Sequence, residues 1–162
     1  MGLRVNAAAQ RRLNAIQAQL LSARLAAKMS QEALSEALRV TSRSLRDWER
    51  RYDSPSLAHA LDWAQRLGFR LALADRLTDA TTPPVEVEHH PIWQMQEYRL
   101  LAPLLKARRR VRKISQTDLG LIVGVTRSTL QRWEDGEQMP RLIALIVWAD
   151  RLDYSVELRP LL

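Results

Sequence analysis

Cysteine is absent from the 162 residues, which excludes disulfides and cysteine-ligated zinc and fits a reducing cytoplasm. Glycine (5) and proline (7) are few, so disorder is not expected over most of the chain. No apolar run approaches the ~18 residues that a membrane span needs, and Met1–Gln10 lacks the apolar core of a signal peptide. Lysine is scarce as well: only Lys28, Lys106 and Lys113 stand among the 25 basic residues. There is no Ser-His-Asp order, glycine-rich phosphate loop or convincing carboxylate dyad. His59, His89 and His90 lack metal-ligand company, the adjacent His89-His90 being the one candidate pair. No enzyme, metal or cofactor is therefore expected.

What is present points to a basic, packed protein. Hydrophobic residues make up 46% of the chain, enough for a sizeable core, and the net charge is +7 with a pI near 10.7. Such a balance favours a polyanion partner, nucleic acid ahead of a membrane surface. Arginine suits bidentate phosphate and guanine contacts. Its excess over lysine is equally explained by GC-rich codons, but the net charge is not.

The chain repeats itself. At an ungapped offset of 85, Leu13–Leu73 aligns with Tyr98–Leu158, matching Arg24/Arg109, Ser30/Ser115, Gln31/Gln116, Trp48/Trp133, Glu49/Glu134 and Trp63/Trp148 among others. Two tryptophans recurring in register imply two copies of one supersecondary unit. The four are expected to be core rather than base-stacking platforms.

Within each copy the same order of signals appears. Asn6–Lys28 reads as a long first helix, with Leu13, Ile16, Leu20 and Leu21 on its apolar stripe; Ile92–Lys113 is its counterpart, with a kink or late start expected at Pro103. Ser30 and Ser115 are N-cap candidates, as are Thr41 and Thr126. Between each pair lies a short helix carrying Leu34 and Leu38, or Leu119 and Val123, and then a turn in which Gly124 suits a left-handed residue. Two short helices joined by a tight turn make a helix-turn-helix, the second helix spanning 42–50 and 127–135. A polar loop follows (Arg50–Ser54, Asp135–Met139). Ser54-Pro55 then opens a helix that Gly68 ends, and Pro140–Leu152 is its equivalent. Alternating apolar residues at Phe69–Leu73 and Tyr154–Leu158 mark strands. Asp75–His90, with Pro83-Pro84 and Val85–Glu88, reads as a semi-rigid linker, and Met1–Val5 as a frayed end. The domains expected are 6–74, a linker 75–90, and 91–159.

The residues S-Q-x-x-L, V-T-x-[RS]-[ST]-L, W-E and P-x-L, present in both copies, resemble the lambda-repressor-like (Cro/cI, XRE-type) family of helix-turn-helix regulators. The resemblance covers nearly all of the chain outside the linker. It implies an all-α class of two tandem domains, each ending in a strand, with the strands paired in a small antiparallel sheet. It also implies a second helix that lies in the major groove of double-stranded DNA. Carried over by position, Ser42, Arg43, Arg46 and Asp47 would face bases in one copy, and Arg127, Ser128, Gln131 and Arg132 in the other. Arg would pair with guanine, Gln with adenine and Asp with cytosine. Lys28, Gln31, Thr41, Arg112, Lys113, Gln116 and Thr126 would meet phosphates, the last four sitting in or after the basic run Lys106–Lys113. Arg24–Glu49 and Arg109–Glu134 match a structural salt bridge that orients the recognition helix.

Pairing the two strands within one chain would make it a pseudo-dimer with approximate two-fold symmetry; exchanging them between chains would make a homodimer. The function implied is a cytoplasmic, sequence-specific transcriptional regulator, a repressor, of bacterial or phage type. Two rivals remain at this point: an antitoxin with autoregulatory DNA binding and a toxin partner, and a protein–protein module that inhibits a host factor.

Overall fold

A computed structural model describes residues 2–84 and 91–161. The chain forms α1 (Ala7–Ala26), α2 (Gln31–Leu38), α3 (Ser42–Glu49), α4 (Leu57–Arg66) and β1 (Phe69–Asp75). It then repeats the series as α5 (Trp93–Val111), α6 (Gln116–Val123), α7 (Arg127–Glu134), α8 (Leu142–Arg151) and β2 (Tyr154–Pro160). From α2 onward every element of one copy maps onto its twin at the offset of 85.

The helix starts follow from side-chain chemistry. Asn6, Ser30, Thr41, Ser56, Ser115 and Thr126 each accept a hydrogen bond from a backbone N–H three residues on, satisfying a donor that the helix end leaves free. The cap of α4 is thus Ser56, not Ser54, and Pro55 lies before the helix rather than at its first position. α5 runs through Pro103. Pro103 is exposed, so water can satisfy the carbonyl that the ring leaves unpaired, and the proline does not delay the start.

β1 and β2 pair antiparallel within the chain, the only sheet among the described residues. The register sets Ala72 opposite Glu157, residues 85 positions apart and hence equivalent. An isolated bridge likewise joins Ser56 to Arg141, another equivalent pair. Two self-matched contacts define one pseudo-two-fold axis, so the chain is internally a dimer of its own halves. Around that axis α1 packs on α8 and α5 on α4.

The core is a single cluster that crosses the axis, from Leu13, Ile16 and Leu20 of α1 to Leu145 and Trp148 of α8. Trp48 meets Trp63, and Trp133 meets Trp148, each pair with ring centroids 5.7 Å apart and planes tilted by 37°. All four are buried.

Two expectations need correction. Gly2–Arg4 is not a frayed end: the Arg4 N–H donates to the Val123 carbonyl (2.8 Å), so this arm lies on the turn between α6 and α7 of the other copy. Nor does the segment after β1 begin as a free spacer. Thr82 folds back, its N–H donating to the Leu73 carbonyl (3.0 Å) and its Oγ1 accepting from the Leu73 N–H (3.1 Å). Arg76 ion-pairs with Asp150 at 2.9 Å. Val85–Glu88 and His89-His90 lie outside the described residues.

Candidate nucleic-acid interface

The two helix-turn-helix units are built alike. α2 ends on Arg39 (φ 57°, ψ 41°) and α6 on Gly124 (φ 95°, ψ 36°), both left-handed, which reverses the chain sharply enough to set α3 and α7 across their partners. Leu45 and Trp48 of α3, and Leu130 and Trp133 of α7, hold the inner faces. The outer faces are therefore the polar ones.

A buried triad fixes each recognition helix. Arg24 Nε donates to Glu49 Oε2 at 2.6 Å, and Gln31 Nε2 donates to Glu49 Oε1 at 2.7 Å. In the twin the distances are 2.6 Å for Arg109–Glu134 and 2.9 Å for Gln116–Glu134. Arg24 Nη1 and Arg109 Nη1 complete the set on the carbonyls of Met29 and Ile114. The carboxylates are almost fully buried (6% and 3% exposed). A buried charge needs such complete pairing, because leaving its partner alone costs several kcal/mol. The triad also shows where the two glutamines are committed: their amide N–H groups point inward to carboxylates.

On the outer faces Arg43, Arg46, Arg127, Ser128, Gln131 and Arg132 are exposed. Arg132 Nε rests on Gln138 Oε1 (3.1 Å). Ser42 and Asp47 are half-buried, and Ser42 shares a hydrogen bond with Ser35 (3.4 Å), so these two are less available than the arginines beside them. Lys28, Thr41, Lys113 and Thr126 are exposed, and the hydroxyls of Thr41 and Thr126 cap α3 and α7.

The basic run divides on folding. Arg109 is buried in its triad, Lys106 pairs with Asp135 at 3.1 Å, and Arg112 pairs with Asp153 at 2.6 Å. Arg108 pairs with Asp75 across the two copies and covers the Tyr154 ring at 4.2 Å; that bond holds the Asp75 carboxyl below its ordinary range. Arg110 and Lys113 are left exposed, with no ion pair among the described residues. Arg112, expected at a phosphate, is thus already neutralised by a carboxylate of its own chain. A charge run seen in sequence carries no record of the acids that folding brings to it.

Sequence reasoning passed over two features of this surface. Arg50 and Arg51, after α3, are exposed beside Tyr52 and extend the cationic face of the first copy. After α7 the same positions hold Asp135 and Gly136, followed by Glu137. The signal was present in the sequence as a plain charge difference between the two loops. The arm Gly2–Arg4, by contrast, gave no signal at all.

Against known proteins, the helix-turn-helix family model of the lambda-repressor-like, XRE type matches twice, at residues 20–73 and 105–158. No curated protein and no solved structure matches the chain. The two matches cover most of the chain and coincide with the two copies built around the axis: the protein belongs to the DNA-binding helix-turn-helix family, as a tandem pair.

Proposed function

We propose that the chain is a cytoplasmic, sequence-specific repressor that reads one operator with two unlike recognition helices. The observation that carries this reading is the pseudo-two-fold axis. It relates two exposed, arginine-bearing helices on one shared core, as the axis of a homodimeric regulator relates its two readers. Residues 6–74 and 91–159 are then the reading units and 75–90 the join. Because Arg43, Arg46 and Asp47 stand where Ser128, Gln131 and Arg132 stand in the twin, the half-sites differ in sequence, with centres about one helical turn, ~34 Å, apart. The net charge of +7 supplies salt-dependent attraction to phosphate.

Selection of bound duplexes from a random pool, followed by footprinting, tests this directly. Two protected stretches of different sequence on one face are expected. A single protected half-site, or binding that rising salt does not weaken, would rule the reading out. In a reporter, an operator placed over a promoter should lower transcription; a rise would mark an activator.

A further inference from the structure

The pseudo-two-fold axis gives the molecule two equivalent clefts at the seam between its copies, and the two have diverged. One lies between β1 of the first copy and α5 of the second, encloses about 340 Å³, and is walled by Phe69, Leu71, Leu100, Leu101, Leu104 and Leu161. Its twin, about 410 Å³, lies between β2 and α1. There Tyr154, Val156, Ala15 and Arg76 stand where the first has Phe69, Leu71, Leu100 and Leu161. The twin is clamped: Arg76 ion-pairs with Asp150 at 2.9 Å and donates to the Asp150 carbonyl at 2.7 Å. In the first cleft those two positions are Leu161 and Gln65, which form no such clamp. Its lining there is apolar, with Leu100 48% exposed.

Inside that apolar cleft stand two charges of opposite sign that do not touch. Glu97 and Arg70 both line it, yet no ion pair within 4.0 Å joins them among the described residues. They sense one another through space, and burial pushes the Glu97 carboxyl up. Arg70 spends one donor on the Thr82 carbonyl at 2.7 Å, and Arg159 lies opposite it in the strand register. An anion entering here would face Glu97, and a cation would face Arg70. A neutral molecule with a donor beside an acceptor meets neither penalty and bridges the gap.

We propose that this cleft binds a small neutral amphiphile, an apolar chain or ring carrying an amide head, with its N–H directed to Glu97 and its C=O to Arg70. The size suits such a ligand, since small-molecule sites are mostly apolar clefts from about 300 Å³ upward with a few placed polar groups. The cleft also touches α5, the helix whose Arg109 holds the second recognition helix.

Octanamide is the probe, added to the full ¹⁵N-labelled chain and followed by amide chemical shifts. Saturable shifts are expected at roughly millimolar probe, confined to residues 69–71 and 97–104, with residues 12–15 and 154–156 of the twin cleft silent. Octanoate and octylammonium should bind at least about fivefold more weakly. Leu100→Arg, at an exposed position, should weaken octanamide at least about tenfold without changing the melting temperature, and Ala15→Arg should leave it unchanged. Absence of saturable binding, equal shifts in both clefts, tighter binding of either charged analogue, or indifference to Leu100→Arg would each overturn the proposal. None of these readouts involves DNA.

Discussion

The two copies share the buried groups that hold each recognition helix and differ around them. Their tryptophan pairs share one geometry, 5.7 Å and 37°, and their arginine–glutamate pairs share one distance, 2.6 Å. Other positions differ: Arg39 against Gly124, Arg50-Arg51 against Asp135-Gly136, Leu161 against Arg76. The physical reason is the unequal cost of change. A methylene lost from a packed core or a partner taken from a buried charge costs kcal/mol, whereas most surface substitutions cost a few tenths. The tryptophan pairs and the arginine–glutamate pairs therefore recur in both copies, while other core positions are repacked, as Leu13 against Tyr98 and Ala60 against Leu145.

That comparison can be broken first at the triads. Glu49→Ala and Glu134→Ala should each destabilise by about 3–5 kcal/mol in urea unfolding, because each leaves a buried guanidinium without its carboxylate. The two losses should agree within about 1 kcal/mol if the copies are equivalent inside. Next come the readers. Arg43→Ala and Arg127→Ala should each cost about 1–3 kcal/mol of operator affinity and relax specificity at different half-sites. A uniform loss over all sequences would mark them as phosphate contacts instead.

A smaller effect separates the two turns. Position 124 sits at φ 95°, beyond the φ 57° that Arg39 adopts in the twin, a backbone conformation that side chains rarely take. An added Cβ there would also run into the Gly2 carbonyl oxygen and the Arg4 nitrogen. Gly124→Arg should therefore expel the arm, seen as lost hydrogen-exchange protection of the Arg4 amide, at about 1 kcal/mol of stability. The mildest test is pH. Asp75 is held below its ordinary range, so its stabilising contact with Arg108 is fully present above the unfolded value of about 3.9 and is lost as pH falls through the lower folded value. The melting-temperature gap between the native chain and Asp75→Asn should be widest near neutrality and close on acidification.

Much of the architecture could be read from residue types. Serine and threonine at helix starts, the 85-residue offset and period-two apolar strands all act over a few neighbours, so they leave a local trace. Misreadings arose where contacts join distant parts. The Lys106–Lys113 run looked like a backbone-binding stripe until Asp75, Asp135, Glu134 and Asp153 came to it in space. The N-terminal residues looked idle because their partner, Val123, is more than a hundred positions away.

By itself the sequence determined the repeated unit, its helix ends, its buried tryptophans and the two arginine-bearing faces, because periodicity and capping are short-range chemistry. Only the tertiary structure decided that β1 pairs with β2 of the same chain, in a register that sets Ala72 against Glu157. It also decided which cations of the basic run are paired and how the two seam clefts are lined. Those outcomes depend on which surfaces meet across the axis, and a strand edge or a charge can be satisfied by any partner that the fold brings within reach.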